Sequence, residues 1–424
     1  MPLARAIASL ATPSTIQAES TDALANRVAV EQGILVAAKL PNALPHKAHI
    51  ERVPELDAPI VVRPIQALLE LSRGTIYRQD WRIQGISQFW PILRYMGMFE
   101  RDDAINLHLR GEDLAIIGPN QRRVLSEDLG IGFGILLAKH WCRERIRARG
   151  GPVPVIASTD FDQALHFGQL QNFTVTARQP DYALSYPDPN NPEVTIFELL
   201  EAKGTATSGN ALKQLGKAAT QLASVTVDQN PVTGIAISTI PTSDAIRVFS
   251  IDPPGPVVRQ VVTRTWLNEM QSSISERIPP TARLGLPRQQ FAAKVASTNY
   301  ASLALFGGLA FAAREWSPPA ELPPVHLHTQ QTSRVIGNQS FHGHEITISS
   351  TTSEQRLSIF QGLESNVSEA LTSLSPERVQ SAQRELANLS EGQSLDFTEE
   401  SESHSGDSAT AISSDGSILS VRLE

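Results

Sequence analysis

Apolar positions along this chain switch period several times, and the switches predict its elements. Ser20-Thr21-Asp22 stands before an apolar run over residues 28–38 and predicts a capped helix. Pro41, Pro45 and Pro54 interrupt it, and Pro64 opens a second helix carrying Ile65, Leu68, Leu69 and Leu71. Leu129, Phe133, Leu136, Leu137, His140 and Trp141 recur at helical spacing. Ser126-Glu127-Asp128 reads as the entry to that helix, and Gly150-Gly151 as its end. Continuous apolar segments follow at 153–157, 173–177, 182–186 and 194–202, the last being the strongest strand pattern in the chain. Residues 187–192, PDPNNP, have the chemistry of a turn. Residues 210–225 return to the helical period, with Leu212, Leu215, Ala219 and Leu222 in one stripe. Two strands at 233–240 and 245–251 complete the series. From 126 to 251 the predicted order is helix, strands, helix, two strands.

The flanks read differently. Residues 1–115 form a mixed α/β region with aromatics gathered between 81 and 99, a candidate recognition or partner domain. Residues 116–256 form the central unit, and 257–320 a helical extension broken by prolines. Its most apolar stretch, 301–313, is interrupted by Gly307-Gly308 and falls short of the ~18 residues of a membrane span, so it predicts a buried helix. Residues 331–424 hold 21 Ser, three Phe and no Trp, Tyr, Lys or Cys. That composition predicts a mostly disordered acidic tail over 321–424, with short helices at 366–374 and 376–389 and a small hairpin around Asp415-Gly416.

Composition narrows the class. The chain has 424 residues, 41% hydrophobic and 19% charged, which excludes collagen-like, coiled-coil and disulfide-scaffold architectures. A single cysteine, Cys142, excludes an intrachain disulfide and a cysteine zinc cluster. With no signal-peptide pattern at the N-terminus, the expected setting is cytoplasmic, with no membrane. Net charge is +3 over 1–150, −2 over 151–330 and −9 over 331–424, so the overall −8 belongs to the tail. An acidic overall balance therefore does not exclude a polyanionic substrate.

One constellation carries chemistry. Pro180-Asp181 lies 20 residues before Glu201, and Glu201-Ala202-Lys203 closes the strongest strand. The tripeptide alone says little, since seven lysines and 44 acids give about 0.7 acid-x-Lys triplets by chance. Its setting says more: an aspartate at the head of the preceding strand, a turn between, then a helix and two further strands. Glu201 and Lys203, two apart on a strand, share one face while Ala202 points the other way. Asp181 on the neighbouring strand lies within reach of Glu201.

Over residues 126–251 this pattern resembles the PD-(D/E)xK nuclease superfamily. The resemblance implies a restriction-endonuclease-like α/β core, a mixed sheet flanked by helices, that hydrolyses phosphodiester bonds with Mg²⁺ or Mn²⁺. By resemblance, Asp181, Glu201 and the Ala202 carbonyl are metal ligands and Lys203 orients or activates water. Glu127, on the first helix, matches a further acid that reaches the metal through water. On the helix after the motif, Gln214, Lys217 and Gln221 fall on one face as candidate substrate-binding residues. Pro187-Asp188 is a competing Pro-Asp pair inside the turn, and Glu198 has the wrong parity to share a face with Glu201.

The expected substrate is nucleic acid, DNA before RNA, in restriction, defence, repair or interbacterial conflict. A catalytically silent binding module of the same fold and an RNA-directed toxin are the alternatives. A protein partner at the N-terminal region or the acidic tail, and a homodimer, stay open. Other motifs carry less. Arg143, Arg145, Arg147 and Arg149 are cations suited to a helix end or to phosphate. Gly130, Gly132 and Gly134 lie inside a helical pattern and predict close packing on the sheet. The histidines at 326, 328, 342 and 344 have little core around them. No P-loop and no serine elbow occurs.

Overall fold

A computed structural model of the chain describes residues 3–37, 49–76, 84–151, 155–166, 179–252, 255–273, 284–317, 331–349, 355–392 and 407–424. The strand pattern predicted at 173–177 lies outside these residues. Eight strands build the main sheet: β1 (Ser14–Glu19), β2 (Ile60–Val62), β3 (Ala157–Asp160), β4 (Tyr182–Asp188), β5 (Asn191–Gly204), β6 (Gly234–Pro241), β7 (Ile246–Ile251) and β8 (Val258–Val261). Their order is β2-β1-β7-β6-β5-β4-β3, with β8 also paired to β5. β3, β4 and β5 form an antiparallel meander, and β6 joins β5 in parallel. β5 is long enough to serve two partners on one edge, β8 along its first half and β6 along its second.

The helices that matter below are α1 (Leu3–Ala11), α2 (Asp22–Ala37), α3 (Pro64–Gly74), α4 (Pro119–Arg147), α5 (Ser208–Ala223), α6 (Arg288–Phe306), α7 (Ser365–Thr372) and α8 (Pro376–Gly392). α4 lies across β5 and β6 with α3 beside it; α5 packs on the same strands with α2 behind it. The fold is thus mixed α/β, and the order α4, β3, β4, β5, α5, β6 runs through its centre. Thr21 Oγ1 accepts the Leu24 N–H at 3.1 Å and caps α2 as its sequence predicts.

Three glycines explain how α4 sits so close. A Cβ on Gly134 would come within 2.8 Å of Ala202 Cβ, and one on Gly130 within 2.6 Å of the Gly204 nitrogen. One on Gly132 would meet the Ala67 carbonyl of α3 at 2.4 Å. These residues leave α4 without side chains where it crosses β5 on one side and α3 on the other.

Four expectations change. α4 begins at Pro119 after Gly118, about two turns before Ser126. Ser126-Glu127-Asp128 is therefore helix interior, with Ser126 buried against Gly204 and Asp128 bonded by the Tyr95 hydroxyl. The N-terminal region is not structurally separate from the central unit, because β1 pairs in parallel with β7 and extends the main sheet. The span 257–320 is not a simple helical extension either: β8 joins the sheet, and α6 is buried from Phe291 to Phe306.

The largest change is the C-terminal region, where the described residues are folded. β9 (Gln331–Ile336), β10 (Gln339–Ser349), β11 (Arg356–Glu364), β12 (Ser408–Ile412) and β13 (Ser417–Leu423) form an antiparallel sheet in the order β9-β10-β11-β13-β12. The two short helices and the hairpin predicted there are present as α7, α8 and β12–β13. Leu357, Ile359, Leu363, Leu419 and Val421 join the core cluster of the rest of the chain. Composition misled because serines here are buried partners of charge. Lys139 Nζ of α4 binds Glu70 of α3 at 2.6 Å and Ser413 Oγ at 3.3 Å. Arg73 pairs with Asp415 at 3.4 Å, both side chains almost wholly buried. Ser417 donates to Asp415 from its hydroxyl and its backbone N–H. The hairpin turn is thus latched onto α3 and α4.

Candidate active site

β5 runs past the head of β4 and so creates the site. Tyr182 is opposite Leu200, the last pair of that ladder, and Asp181 lies just before it. Past that point no strand among the described residues pairs with β5 on this edge. The Ala202 N–H donates instead to the Asp181 carboxylate at 3.2 Å. In return the Asp181 N–H donates to Glu201 Oε2 at 2.8 Å. The two acid-bearing segments therefore fix each other through main-chain N–H bonds.

Strand geometry sets the rest. Leu199, and Thr205 just past the end of β5, donate their N–H groups to the carbonyls of Thr233, just before β6, and Thr239 within it, so odd-numbered residues of β5 bond that way. Even-numbered residues bond toward β4, and the N–H and C=O of one strand residue face the same edge. The Ala202 carbonyl accordingly faces the Asp181 side. Lys203 Nζ lies between the acids, paired with Glu201 Oε1 and 3.5 Å from Asp181 Oδ2. Glu201 is fully buried, whereas Asp181 and Lys203 are about a quarter exposed. Burial first, and then the neighbouring Asp181 charge, push the Glu201 carboxyl well above the usual range. Burial works against the Lys203 charge, but Glu201 and Asp181 outweigh it and hold the ammonium above its ordinary value.

α5 closes the side of the site. Gln214 Nε2 donates to the Gly204 carbonyl at 3.3 Å, and its Oε1 accepts from Ser238 at 3.4 Å. Gln221 Nε2 donates to the Gln179 carbonyl at 3.1 Å, two residues before Asp181. Lys217 is exposed. Ser238 is a contributor that the sequence reading missed; its place opposite Lys203 in the β5–β6 register was not readable before the pairing was known.

The remaining candidates sort plainly. Among the described residues Glu127 does not join the acid pair in a three-residue metal-binding group. Its backbone N packs against Gly204, but its half-exposed carboxylate pairs with Arg123 at 3.0 Å, one turn back on α4. Asp188 sits at the β4–β5 turn, about 20 Å along the strand from Asp181, where it pairs with Arg259 at 3.0 Å. Glu198 is buried on the α4 face with Arg145 at 2.6 Å. Arg145 also donates to Tyr186 and lies over Trp141, Arg143 reaches Ser414, and Arg147 pairs with Glu144. These three arginines are occupied within the protein. His342 bonds Ser333 and His344 is buried beside Gly308; His326 and His328 lie outside the described residues.

The donor set of two carboxylates and a strand carbonyl consists of hard oxygens, which suits Mg²⁺ or Mn²⁺ over softer ions. Among the described residues no group of three or more His, Cys, Asp or Glu side chains gathers to hold a metal, so main-chain oxygen and water would complete the shell. Comparison with protein-family models, curated proteins and solved structures finds no match for this chain. No helix among the described residues is long and apolar enough to cross a membrane.

Proposed function

We propose that the chain is a Mg²⁺-dependent nuclease that hydrolyses phosphodiester bonds of DNA. The observation that carries this reading is the convergence of Asp181, Glu201 and Lys203 where β5 outruns β4. The order α4, β3, β4, β5, α5, β6, interrupted by a short helix at Phe161–His166 and two short strands at Val225–Val227 and Asn230–Pro231, supports a restriction-endonuclease-like core around them.

Asp181, Glu201 and the Ala202 carbonyl would hold the metal. A bound Mg²⁺ would supply charge stabilisation at the phosphate and make water a better nucleophile. The chain's own residues set up the remainder. The reciprocal N–H bonds between the Asp181 and Ala202 segments keep the acids in one geometry without a ligand. Lys203 offers three donors beside the acids, enough to keep one on a carboxylate and turn another to water or a phosphate oxygen. Helix α4 shields the opposite face of β5.

Cleavage of supercoiled plasmid, single-stranded DNA and total RNA tests the reading, with Mg²⁺, Mn²⁺ or chelator. Wild type should cut DNA only with metal. Glu201→Gln, which keeps the side-chain volume, and Lys203→Ala should not cut while retaining the wild-type circular dichroism spectrum. Preferential cutting of RNA would move the assignment to an RNA-directed nuclease. A folded wild type that cuts none of the three would overturn it in favour of a non-hydrolytic binding module.

A further inference from the structure

We propose that Lys217 anchors a phosphate next to the one being cut, and that Gln214 and Gln221 position the site without touching substrate. The inference rests on the nuclease reading and names which residue of α5 meets the nucleic acid.

The three residues occupy one stretch of helix. At about 100° and 1.5 Å per residue, Lys217 lies within roughly 60° of both glutamines and between them along an axis of about 10 Å. The glutamines mark where that axis runs. One end is fastened to Gly204, immediately after Lys203, and the other to Gln179, just before Asp181. The span between those two carbonyls is the acid pair. Lys217 therefore projects from α5 beside the site.

Their partners separate the roles. Gln214 spends its amide on Gly204 and accepts from Ser238, so both ends of the group are engaged. Gln221 holds the segment that carries Asp181. Lys217 is exposed between buried neighbours, and no ion pair engages it among the described residues. Of the other basic groups near this end, Lys203 is committed to both acids and Arg123 to Glu127; Lys213 is also exposed, but it lies one turn before Lys217 and about 100° around α5 from Gln214. An exposed ammonium with no ion pair among the described residues, at the rim of a carboxylate site, suits a phosphate oxygen of a bound strand. Two such acids repel a polyanion, so a cation at that rim offsets the repulsion where the strand must approach.

The test measures binding of a fluorescein-labelled 30-base-pair duplex with Ca²⁺ between 50 and 200 mM KCl, alongside cleavage with Mg²⁺. Loss of one phosphate contact should make the plot of log K against log salt shallower by about 0.9 in Lys217→Met. Affinity at 50 mM salt should fall roughly 5- to 10-fold, with KM rising in step and kcat within about twofold of wild type. Lys217→Arg should restore the slope. Gln221→Leu should leave the slope unchanged and raise the Mg²⁺ needed for half-maximal cleavage several-fold, the mark of a residue acting through Asp181. A wild-type slope in Lys217→Met, with wild type still cutting DNA, overturns this inference and leaves the nuclease reading intact. A slope shift in Gln221→Leu equal to that of Lys217→Met overturns the division of roles. A wild type that neither binds nor cuts removes the nuclease reading and this inference with it.

Discussion

Asp415→Asn tests the latch between the C-terminal hairpin and the main sheet. Asp415 is buried, with Arg73 at 3.4 Å and both Ser417 donors on its Oδ1. Burial acts against its charge, but Arg73, Lys139 and the Ser417 bonds outweigh it and hold the carboxyl down at about 2. A fall from 3.8 to about 2, at about 1.36 kcal/mol per pH unit, is roughly 2.5 kcal/mol of stability. Because the folded value is the lower one, this contribution is complete above the unfolded value near 4. It is lost as pH falls toward 2, with about half gone by pH 3. At pH 7 Asp415→Asn should therefore cost about 3–5 kcal/mol, since Arg73 is left buried without its counter-charge. Urea unfolding followed by tryptophan fluorescence, at pH 7, 5, 4 and 3, measures the gap between the two proteins. It should be constant from pH 7 to 5 and narrow by about 1 kcal/mol by pH 3. A gap under about 1 kcal/mol at pH 7, or one that ignores pH, would refute the latch.

Two further perturbations probe the packing that carries the site. Gly130→Ala puts a methyl 2.6 Å from the Gly204 nitrogen and 2.7 Å from the Lys203 carbonyl carbon. It should destabilise the fold by about 1–3 kcal/mol, while Gly33→Ala on α2, with open space around it, should be neutral or stabilising by up to ~1 kcal/mol. Thermal denaturation of both variants checks the contrast, and equal effects would mean that α4 is not in contact with β5. Arg145→Met leaves Glu198 fully buried without its cation and should cost about 3–5 kcal/mol. The double variant Arg145→Met/Glu198→Gln should recover a large part of that loss; no recovery would argue against the pairing.

Hydrophobic period and turn chemistry determined a good deal of this protein. The stripe of Leu212, Leu215, Ala219 and Leu222, the run over 194–202 and the hairpin around Asp415-Gly416 are local patterns, and they became α5, most of β5 and β12–β13. Strand parity also placed Glu201 and Lys203 on one face and Glu198 on the other, because that alternation is a property of any extended chain. The helical setting of Gly130, Gly132 and Gly134 was legible for the same reason.

Tertiary structure decided what those elements touch. Composition made 331–424 look unable to fold, because it counts serines without knowing that Ser413 and Ser417 face buried Lys139 and Asp415. Only pairing between distant segments could show that β1 completes the sheet beside β7, some 230 residues away. By type and order Glu127 reads as an acid at a helix entry; the helix begins at Pro119, so it is helix interior, and its carboxylate pairs with Arg123. Gln214, Lys217 and Gln221 shared a face by spacing alone, but their hydrogen bonds separate the glutamines, fastened to backbone, from the lysine left exposed. Local sequence fixes period and parity within a segment; partners come from contacts across the chain, whose register and distance no single segment contains.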